Sequence, residues 1–554
     1  MLIRNHTSPF AKGKMEVESS MFGLLAAKPL VEHAGFLLVV MIAYLLLMLL
    51  LGYIAGRKTT DNSDDYMAAE GKMPFWLVTA TILATFICGA TIMGGGGVAY
   101  SDGFAATIAD PFAACLCLIA GGFIFQGQIR RTGAVSPAAV YQNRYGVLGG
   151  VIAGVCTIMP MLFFAGAQVA ATGKLFQIVL GWPFRTTAIL SGIFVIVYTA
   201  FGGITAVVWT DFAQVLILII GVIVIFPAAL AHVNELGGQA AAHDLLGSDW
   251  FSLGYGAALR TDNLDVSVHG FEAIISYIGL WIGCSAGAMP GSDIMQRALV
   301  AKSPNVAKYS AVFAGILMTI LGFFVVYTGA WARFFVESGH NLFTSVEMER
   351  LAEDSELVMP LISTHLLPQW FTAIFYVGLL GAIMSSADTA LFAPATIIAN
   401  DVIRPLSHRA GKIIDDKRMI TIVRICVIAL GIIATLFGTF TESVYTLEVI
   451  GFTVQIVLFF PLLLALYWKH ANRTGAIAGM IFGILWCIVM MVSQGTVEPG
   501  PYYALALGPM IFGLIIQVIV SFATAKKDPP VPLMARDGSV LKWPELGENK
   551  FYVE

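Results

Sequence analysis

Apolar stretches long enough to cross a lipid bilayer recur from one end of this chain to the other. A transmembrane helix needs about 20 mostly apolar residues, and only 12% of the 554 residues here are charged. The pattern predicts an all-α membrane protein with about thirteen spans. Their approximate limits are 34–56, 74–100, 104–127, 147–175, 186–206, 210–232, 270–289, 309–333, 366–400, 419–440, 444–467, 475–494 and 503–524.

Loops rich in basic residues alternate with loops that are poor in them. Basic loops tend to stay in the cytoplasm, and an odd number of spans puts the two chain ends on opposite sides. We therefore expect an external N-terminal segment over 1–33, a transporter domain over 34–525 and a cytoplasmic tail over 526–554. The acidic loops at 233–269 and 334–357 are expected outside. The basic clusters are Arg57/Lys58/Lys72, Arg130/Arg131/Arg144, Arg297/Lys302/Lys308, Arg404/Arg409/Lys412 and Lys526/Lys527.

One span carries five glycines between Ala84 and Gly97. Each glycine inside a helix costs about 1 kcal/mol relative to alanine. A helix break inside the bilayer is tolerated where the freed backbone groups line a cavity or bind an ion. Glycines can instead serve to let helices pack closely. We predict a discontinuous helix that offers backbone oxygen atoms to a ligand, as transporters use near the middle of the membrane.

A later apolar span carries the hydroxyl pair Ser385-Ser386, followed by Asp388 and Thr389. These oxygen-bearing side chains fall within about one and a half helical turns. Polar groups are costly in hydrocarbon unless they face a partner, a cavity or an ion, and oxygen ligands suit hard cations such as sodium. The cluster therefore indicates ion-coupled transport.

Four segments of the chain together resemble the sodium:solute symporter family. The resemblance implies a LeuT-type fold, in which two inverted five-helix repeats follow one extra helix and precede two more. It also implies that transport of a small organic solute is coupled to Na⁺. The segments are Ser63–Pro74, Gly202–Gln214, Asp293–Lys302, and Ala382–Thr389 with Asn400-Asp401.

The resemblance also implies a main sodium site made of five oxygen atoms. Three are the backbone carbonyl oxygens of Ala84, Ile87 and Ala382, and two are the hydroxyls of Ser385 and Ser386. A ligand set without formal charge suits an ion that is held weakly and released in each cycle.

A second cation site, known in some members, would comprise Asp211, Ser385, Asp388 and Thr389. Two neighbouring carboxylates cannot both stay ionised unless a cation or a proton lies between them. The pair is thus consistent with sodium coupling or with proton coupling. Alternatively, Asp211 is the N-cap of the helix predicted at 210–232, a position that aspartate favours.

Parts of the chain look most like the high-affinity choline branch of this family, notably Tyr198–His232 and Pro360–Pro368. Tryptophans that cage a quaternary ammonium in that branch are replaced here by Phe86, Phe164 and Gly291. Tryptophan binds such cations best, so the replacements disfavour choline itself and leave a smaller amine open. The predicted solute contacts are Phe86, Thr91, Asp110, Phe164, Gln168 and Gly291.

Two of these candidates have an alternative role. Gln168 is as well suited to bridging helices as to contacting solute. Asp110 precedes Pro111 inside an apolar span, where proline disfavours helical geometry at the residue before it. We expect a kink that aims Asp110 into the bundle, where it either pairs with another helix or faces an amine on the solute.

The leading interpretation is a symporter of the cell membrane that imports a small organic solute, bearing an amine or a carboxylate, with sodium by alternating access. Alternatives are a proton-coupled transporter of the same fold and a passive channel. No Gly-Lys-Ser/Thr phosphate loop occurs in the sequence, so an ATP-driven motor is not expected. The histidines do not cluster, and we expect no enzyme activity. We expect the lipid bilayer and the solute as partners, no nucleic acid, and no required oligomer.

Overall fold

The computed structural model describes residues 28–58, 63–68, 71–201, 203–258, 271–340, 342–440, 443–494, 504–535 and 538–541. Most of the predicted external segment over 1–33 and part of the predicted tail lie outside these ranges. Fifteen helical elements make up the bundle. They are α1 (Ala34–Lys58), α2 (Phe75–Phe86), α3 (Ala90–Asp102), α4 (Phe104–Arg131), α5 (Pro137–Leu180), α6 (Phe184–Phe201), α7 (Ile204–Glu235), α8 (Phe271–Ala288), α9 (Ser292–Val300), α10 (Pro304–Glu337), α11 (Gln369–Arg409), α12 (Asp416–Phe440), α13 (Val444–Tyr467), α14 (Arg473–Gln494) and α15 (Ala504–Thr524).

The helices confirm a multi-pass membrane protein. Within the described ranges, ten helices are long and apolar enough to cross a bilayer, and two bent helix pairs raise the number to twelve. The shorter α6 lies at the remaining predicted span, so a helix or a bent pair occupies each of the thirteen positions. The predicted boundaries differ by several residues, most clearly for α5, which begins ten residues before the predicted start, and for α7, which begins six residues before it.

Two bent pairs mark the internal repetition of the fold. The axes of α2 and α3 differ by 52°, and those of α8 and α9 differ by 45°. Each bent pair is followed by four more spans, so each begins a set of five. One helix precedes the first set and two follow the second, which is the order expected for the LeuT-type fold.

The innermost helix is α11, which packs on both α5 and α7. Of its most apolar stretch 83% is buried, against 28% for α1, α14 and α15 at the periphery. A helix that is apolar all round and buried belongs in the centre of a bundle. The serine pair on α11 is therefore held at the heart of the molecule.

The glycine run serves close packing, while the break comes just before it. The last helical residue of α2 is Phe86, and Ile87 has a non-helical backbone with ψ of 84°. A Cβ atom on Gly96 would come within 2.3 Å of Met359, and one on Gly97 within 2.7 Å of the Glu356 backbone. The first span therefore has both features that the sequence suggested: a helix break at Ile87, and close helix packing at Gly96 and Gly97.

The contacts between loops lie at two opposite ends of the bundle. At one end Trp331 donates to Gln239 at 2.7 Å, and the His232 and His340 rings lie 4.6 Å apart. At the other end Arg130 donates to the carbonyls of Gly71 and Ala301. The helix α10 joins these ends and, with 34 residues, is about 50 Å long. The grouping matches the predicted alternation of acidic and basic loops, and the assignment of sides stays a prediction.

Candidate ion and solute site

The serine pair of α11 meets the last turn of α2. The Ser385 hydroxyl lies 2.8 Å from the Ala84 carbonyl oxygen and 2.9 Å from that of Ala382. The Ser386 hydroxyl lies 2.9 Å from the Thr85 carbonyl oxygen and 3.0 Å from that of Ala382. All five residues are fully buried. The structure thus brings together four of the five residues predicted for the main sodium site and adds Thr85.

The break explains why these backbone oxygens are available. The carbonyls in the last turn of a helix have no amide partner within the helix, and α2 ends at Phe86. Ile87, the fifth predicted ligand, is buried at the break itself, and its own amide still donates to Leu83. Carbonyl and hydroxyl oxygens without formal charge are the donor set that fits a hard monovalent cation.

Asp211 lies in the second turn of α7, whose N-cap is Gly203, so it is not a helix cap. Its carboxylate accepts a hydrogen bond from Thr81 and lies 3.2 Å from the guanidinium of Arg297. Arg297 also donates to Thr389, whose hydroxyl lies 3.2 Å from the Asp388 carboxylate. Asp211, Asp388 and Thr389 are therefore brought together as predicted, but with an arginine among them.

Arg297 is the residue that the sequence interpretation missed in this cluster. The sequence groups it with the basic loop residues, whereas it lies on α9 and is completely buried. Its third contact, at 3.3 Å, is the hydroxyl of Thr85 beside the serine pair. Asp293 precedes Arg297 by four residues, which is a helical spacing. This spacing is the sequence signal that Arg297 lies on a helix, the second half of a bent pair, and not in a loop.

Two predicted solute contacts hold the break of the first span together. The side-chain oxygen of Gln168 accepts a hydrogen bond from the Gly89 amide at 3.1 Å, and Thr91 donates to the Phe86 carbonyl at 2.8 Å. Phe86 and Phe164 are both buried. Gly291, by contrast, lies at the break between α8 and α9, where a Cβ atom would come within 2.8 Å of the Ala288 carbonyl.

The expected kink at Asp110 is present. The backbone of Asp110 is extended, with φ of −143°, inside the otherwise helical α4. Its amide lies 3.4 Å from the hydroxyl of Tyr445 on α13. The carboxylate is buried, and neither of its oxygens has a hydrogen-bond partner among the residues that the structure describes.

Glu448 faces the same break from α13. Its place near the start of that helix, which begins at Val444 with Ser443 as its cap, suits the helix dipole. The Glu448 carboxylate is nevertheless buried, and its oxygens lie 3.6 and 3.8 Å from the sulfur of Cys88. Tyr445, which contacts the Asp110 amide, lies one helical turn before Glu448 on the same helix, so Asp110 and Glu448 belong to one region of the bundle.

A buried ion pair joins three segments at the end of the bundle that holds the acidic loops. Lys174 near the end of α5 lies 2.7 Å from Glu356 and 2.5 Å from Asp354. Glu356 in turn accepts the backbone amides of Val444 and Tyr445 at the start of α13. Nothing in the sequence pattern paired these residues, because they come from three distant segments.

Comparison with known proteins shows that this chain is similar to a family of transporters. The model of the family described as sodium:solute symporter family matches residues 66–483. The high-affinity choline transporter 1 of Caenorhabditis elegans is 26% identical over 471 residues, which cover 81% of this chain and 76% of that protein. The sodium/glucose cotransporter of Vibrio parahaemolyticus is 25% identical, over 85% of this chain and 87% of that protein.

Two further similarities extend the comparison. The osmoregulated proline transporter of Bacillus subtilis is 25% identical, over 87% of this chain and 94% of that protein. Among solved structures, a Na⁺-coupled sialic acid symporter in its substrate-bound outward-open state superposes with a TM-score of 0.73 at 20% identity. That match covers 90% of this chain and 99% of the other, and it confirms the predicted fold.

Proposed function

This chain belongs to the sodium:solute symporter family, and on that basis we propose that it imports a small organic solute with sodium by alternating access. Sodium-coupled solute symport is the activity of the family, and sodium is the coupling ion. These relatives are transporters for chemically different solutes, so their names do not choose among solutes for this chain. The inward direction, the ion ligands and the solute contacts are our proposal.

We propose that the main sodium site consists of the Ala84, Ile87 and Ala382 carbonyls with the Ser385 and Ser386 hydroxyls. The observation that carries this proposal is the contact of both hydroxyls with the last turn of α2. Each hydroxyl donates to a carbonyl in this structure, and rotation of its proton would turn an oxygen lone pair toward an ion. Sodium would then replace hydrogen bonds between two helices that belong to different repeats.

Sodium titration of the double variant Ser385→Ala, Ser386→Ala tests this site. Loss of two of the five ligands should raise the sodium concentration for half-maximal uptake at least about tenfold, equivalent to about 1.4 kcal/mol. Thr421→Ala is the matched control, because its hydroxyl also donates to the carbonyl four residues earlier but is exposed at the start of α12. An unchanged sodium response in a folded double variant would refute the assignment.

A second cation at Asp211, Asp388 and Thr389 remains a candidate, and Arg297 competes with it for the Asp211 carboxylate. The Arg297 guanidinium already supplies a positive charge 3.2 Å from Asp211. A sodium ion or a proton in this cluster would have to coexist with that charge or displace it. The number of sodium ions carried per solute therefore depends on whether Arg297 keeps this position throughout the cycle.

We propose that the solute binds beside the break of the first span, with contacts drawn from Phe86, Thr91, Asp110, Phe164, Gln168 and Gly291. The support is that Gln168 and Thr91 bind the broken backbone directly and that Asp110 is buried without a hydrogen-bond partner. Counterflow in proteoliposomes separates a carrier from a passive channel, because only a carrier exchanges labelled for unlabelled solute without a net gradient.

A further inference from the structure

Two buried carboxylates, Asp110 of α4 and Glu448 of α13, lie around the break of the first span. The Cys88 sulfur at the break lies 3.6 Å from Glu448 and 3.8 Å from the Thr91 hydroxyl. Tyr445 fixes the arrangement, since its hydroxyl contacts the Asp110 amide at 3.4 Å and it shares a helical face with Glu448 three residues later. In the described part of the chain, no lysine, arginine or histidine pairs with either carboxylate.

Such a pair is unstable on its own. A buried charge costs several kcal/mol unless it is paired and hydrogen-bonded, and two like charges at close range oppose each other. Among the described residues, no group donates a hydrogen bond to either Asp110 oxygen, and the Thr91 hydroxyl at the break donates to the Phe86 carbonyl. Within the same residues, the one donor to Glu448 is the weakly donating thiol of Cys88. The arrangement therefore calls for a ligand that brings positive charge and also N–H or O–H groups.

The surroundings distinguish an organic cation from a metal ion. The Cys88 thiol lies 3.6 Å from Glu448. Ala109 and Val449, which adjoin Asp110 and Glu448 along the chain, belong to one apolar cluster with Ile108, Cys284 and Tyr445. Hard cations prefer shells of oxygen ligands, whereas alkyl groups gain by contact with apolar side chains. This chemistry differs from that of the carbonyl and hydroxyl cluster around the serine pair.

We propose that Asp110 and Glu448 together bind a protonated primary or secondary amine of the solute, and not a quaternary ammonium. A quaternary ammonium has charge but no N–H group, so it would leave the carboxylate oxygens without donors and forgo the hydrogen bonds that an amine provides. The absence of tryptophan at Phe86, Phe164 and Gly291 is consistent with this preference. The inference rests on the proposed symport function and specifies the solute class of the same site.

Thermal stability of the purified full-length protein tests the proposal before the solute is identified. Primary amines of several chain lengths, their N-trimethylated counterparts and the neutral alcohols of the same lengths are compared with sodium present. A ligand that binds the folded state raises the melting temperature by mass action. We expect at least one primary amine to stabilise the protein and to bind about tenfold or more tightly than its trimethylated counterpart. Equal or better stabilisation by the trimethylated compounds or the alcohols would overturn the proposal.

Variants, measured with amines and with sodium, test the amine site and the sodium site separately. Asp110→Asn and Glu448→Gln should each weaken amine binding about tenfold or more and leave stabilisation by sodium alone intact, whereas Glu353→Gln, an exposed control, should change neither. If sodium stabilises the protein but no amine does, the amine site is wrong and the sodium site stands. If amines stabilise it and sodium does not, the sodium site fails and the amine site stands.

Discussion

At the scale of single residues, Arg297 decides how the acidic cluster beside the serine pair behaves. Its guanidinium contacts Asp211, Thr389 and Thr85, and both charged groups of the Arg297–Asp211 pair are fully buried. Removing one partner of a buried ion pair leaves the other charge uncompensated. A substitution at Asp211 alone is therefore enough to test how much the buried ion pair with Arg297 stabilises the protein.

Asp211→Asn should destabilise the protein by about 3 kcal/mol or more, because the buried guanidinium of Arg297 then loses its ion-pair partner. Chemical denaturation of the reconstituted protein measures this. The exposed pair Arg350–Glu353, with a similar separation of 3.1 Å, provides the control, and Glu353→Gln should cost less than about 1 kcal/mol. If a second sodium also binds at Asp211, the Hill coefficient of sodium-dependent uptake should fall toward one in Asp211→Asn. A variant with wild-type stability would contradict the importance of this ion pair.

Local sequence patterns predicted the parts of the site that follow each other along the chain. Ser385, Ser386, Asp388 and Thr389 share one helix, and the kink at Asp110 follows from the neighbouring proline. The same patterns misplace Arg297 and do not show the burial of Glu448, because charged residues near the predicted end of a span look like surface residues. Their burial depends on how α9 and α13 pack against distant parts of the chain, which no local pattern records.

At the scale of helices and loops, Lys174 and Glu356 tie three segments together at one end. Glu356 accepts two backbone amides at the start of α13, where the helix dipole favours a negative charge. Lys174 neutralises the same carboxylate from α5. The loop segment at Glu356 also lies directly on Gly97 of α3. We expect this contact to keep that end of the transport path closed.

Breaking the contact should open the path to Cys88, which is completely buried here. In Lys174→Met or Glu356→Gln, a membrane-impermeant thiol reagent applied outside should label Cys88 faster than in the wild-type protein. Cys88→Ala in the same background identifies the labelled residue, and Glu353→Gln controls for a general change of surface charge. Unchanged labelling of a folded variant would show that the ion pair does not hold the path closed.

At the scale of the whole molecule, the element order was well predicted, because twenty-residue apolar stretches are a strong signal. Boundaries were weaker, as α5 and α7 begin well before the hydrophobic stretches that were predicted. Only one of the two bends was predicted. Glycines flagged the first span, whereas Pro290-Gly291 at the break between α8 and α9 is a local turn signal that the span prediction did not use.

Topology is the prediction that belongs to this scale. Reporter fusions at Lys412 and at Gly254 should fall on opposite sides of the membrane, with Lys412 in the cytoplasm, because basic loops are retained there. A further fusion at Lys526 should agree with Lys412. Finding Lys412 and Gly254 on the same side would contradict the alternation, and finding both reversed would invert the assignment of sides.

The contact between Ser385, Ser386 and the end of α2 also has a mechanical meaning. The carbonyls come from the first set of five spans and the hydroxyls from the second. A sodium ion bound there, as proposed, would act as a removable cross-link between the two sets of spans. The free energy of the sodium gradient would then reach the protein as the strength of this one joint, which would be high with the ion bound and low after its release.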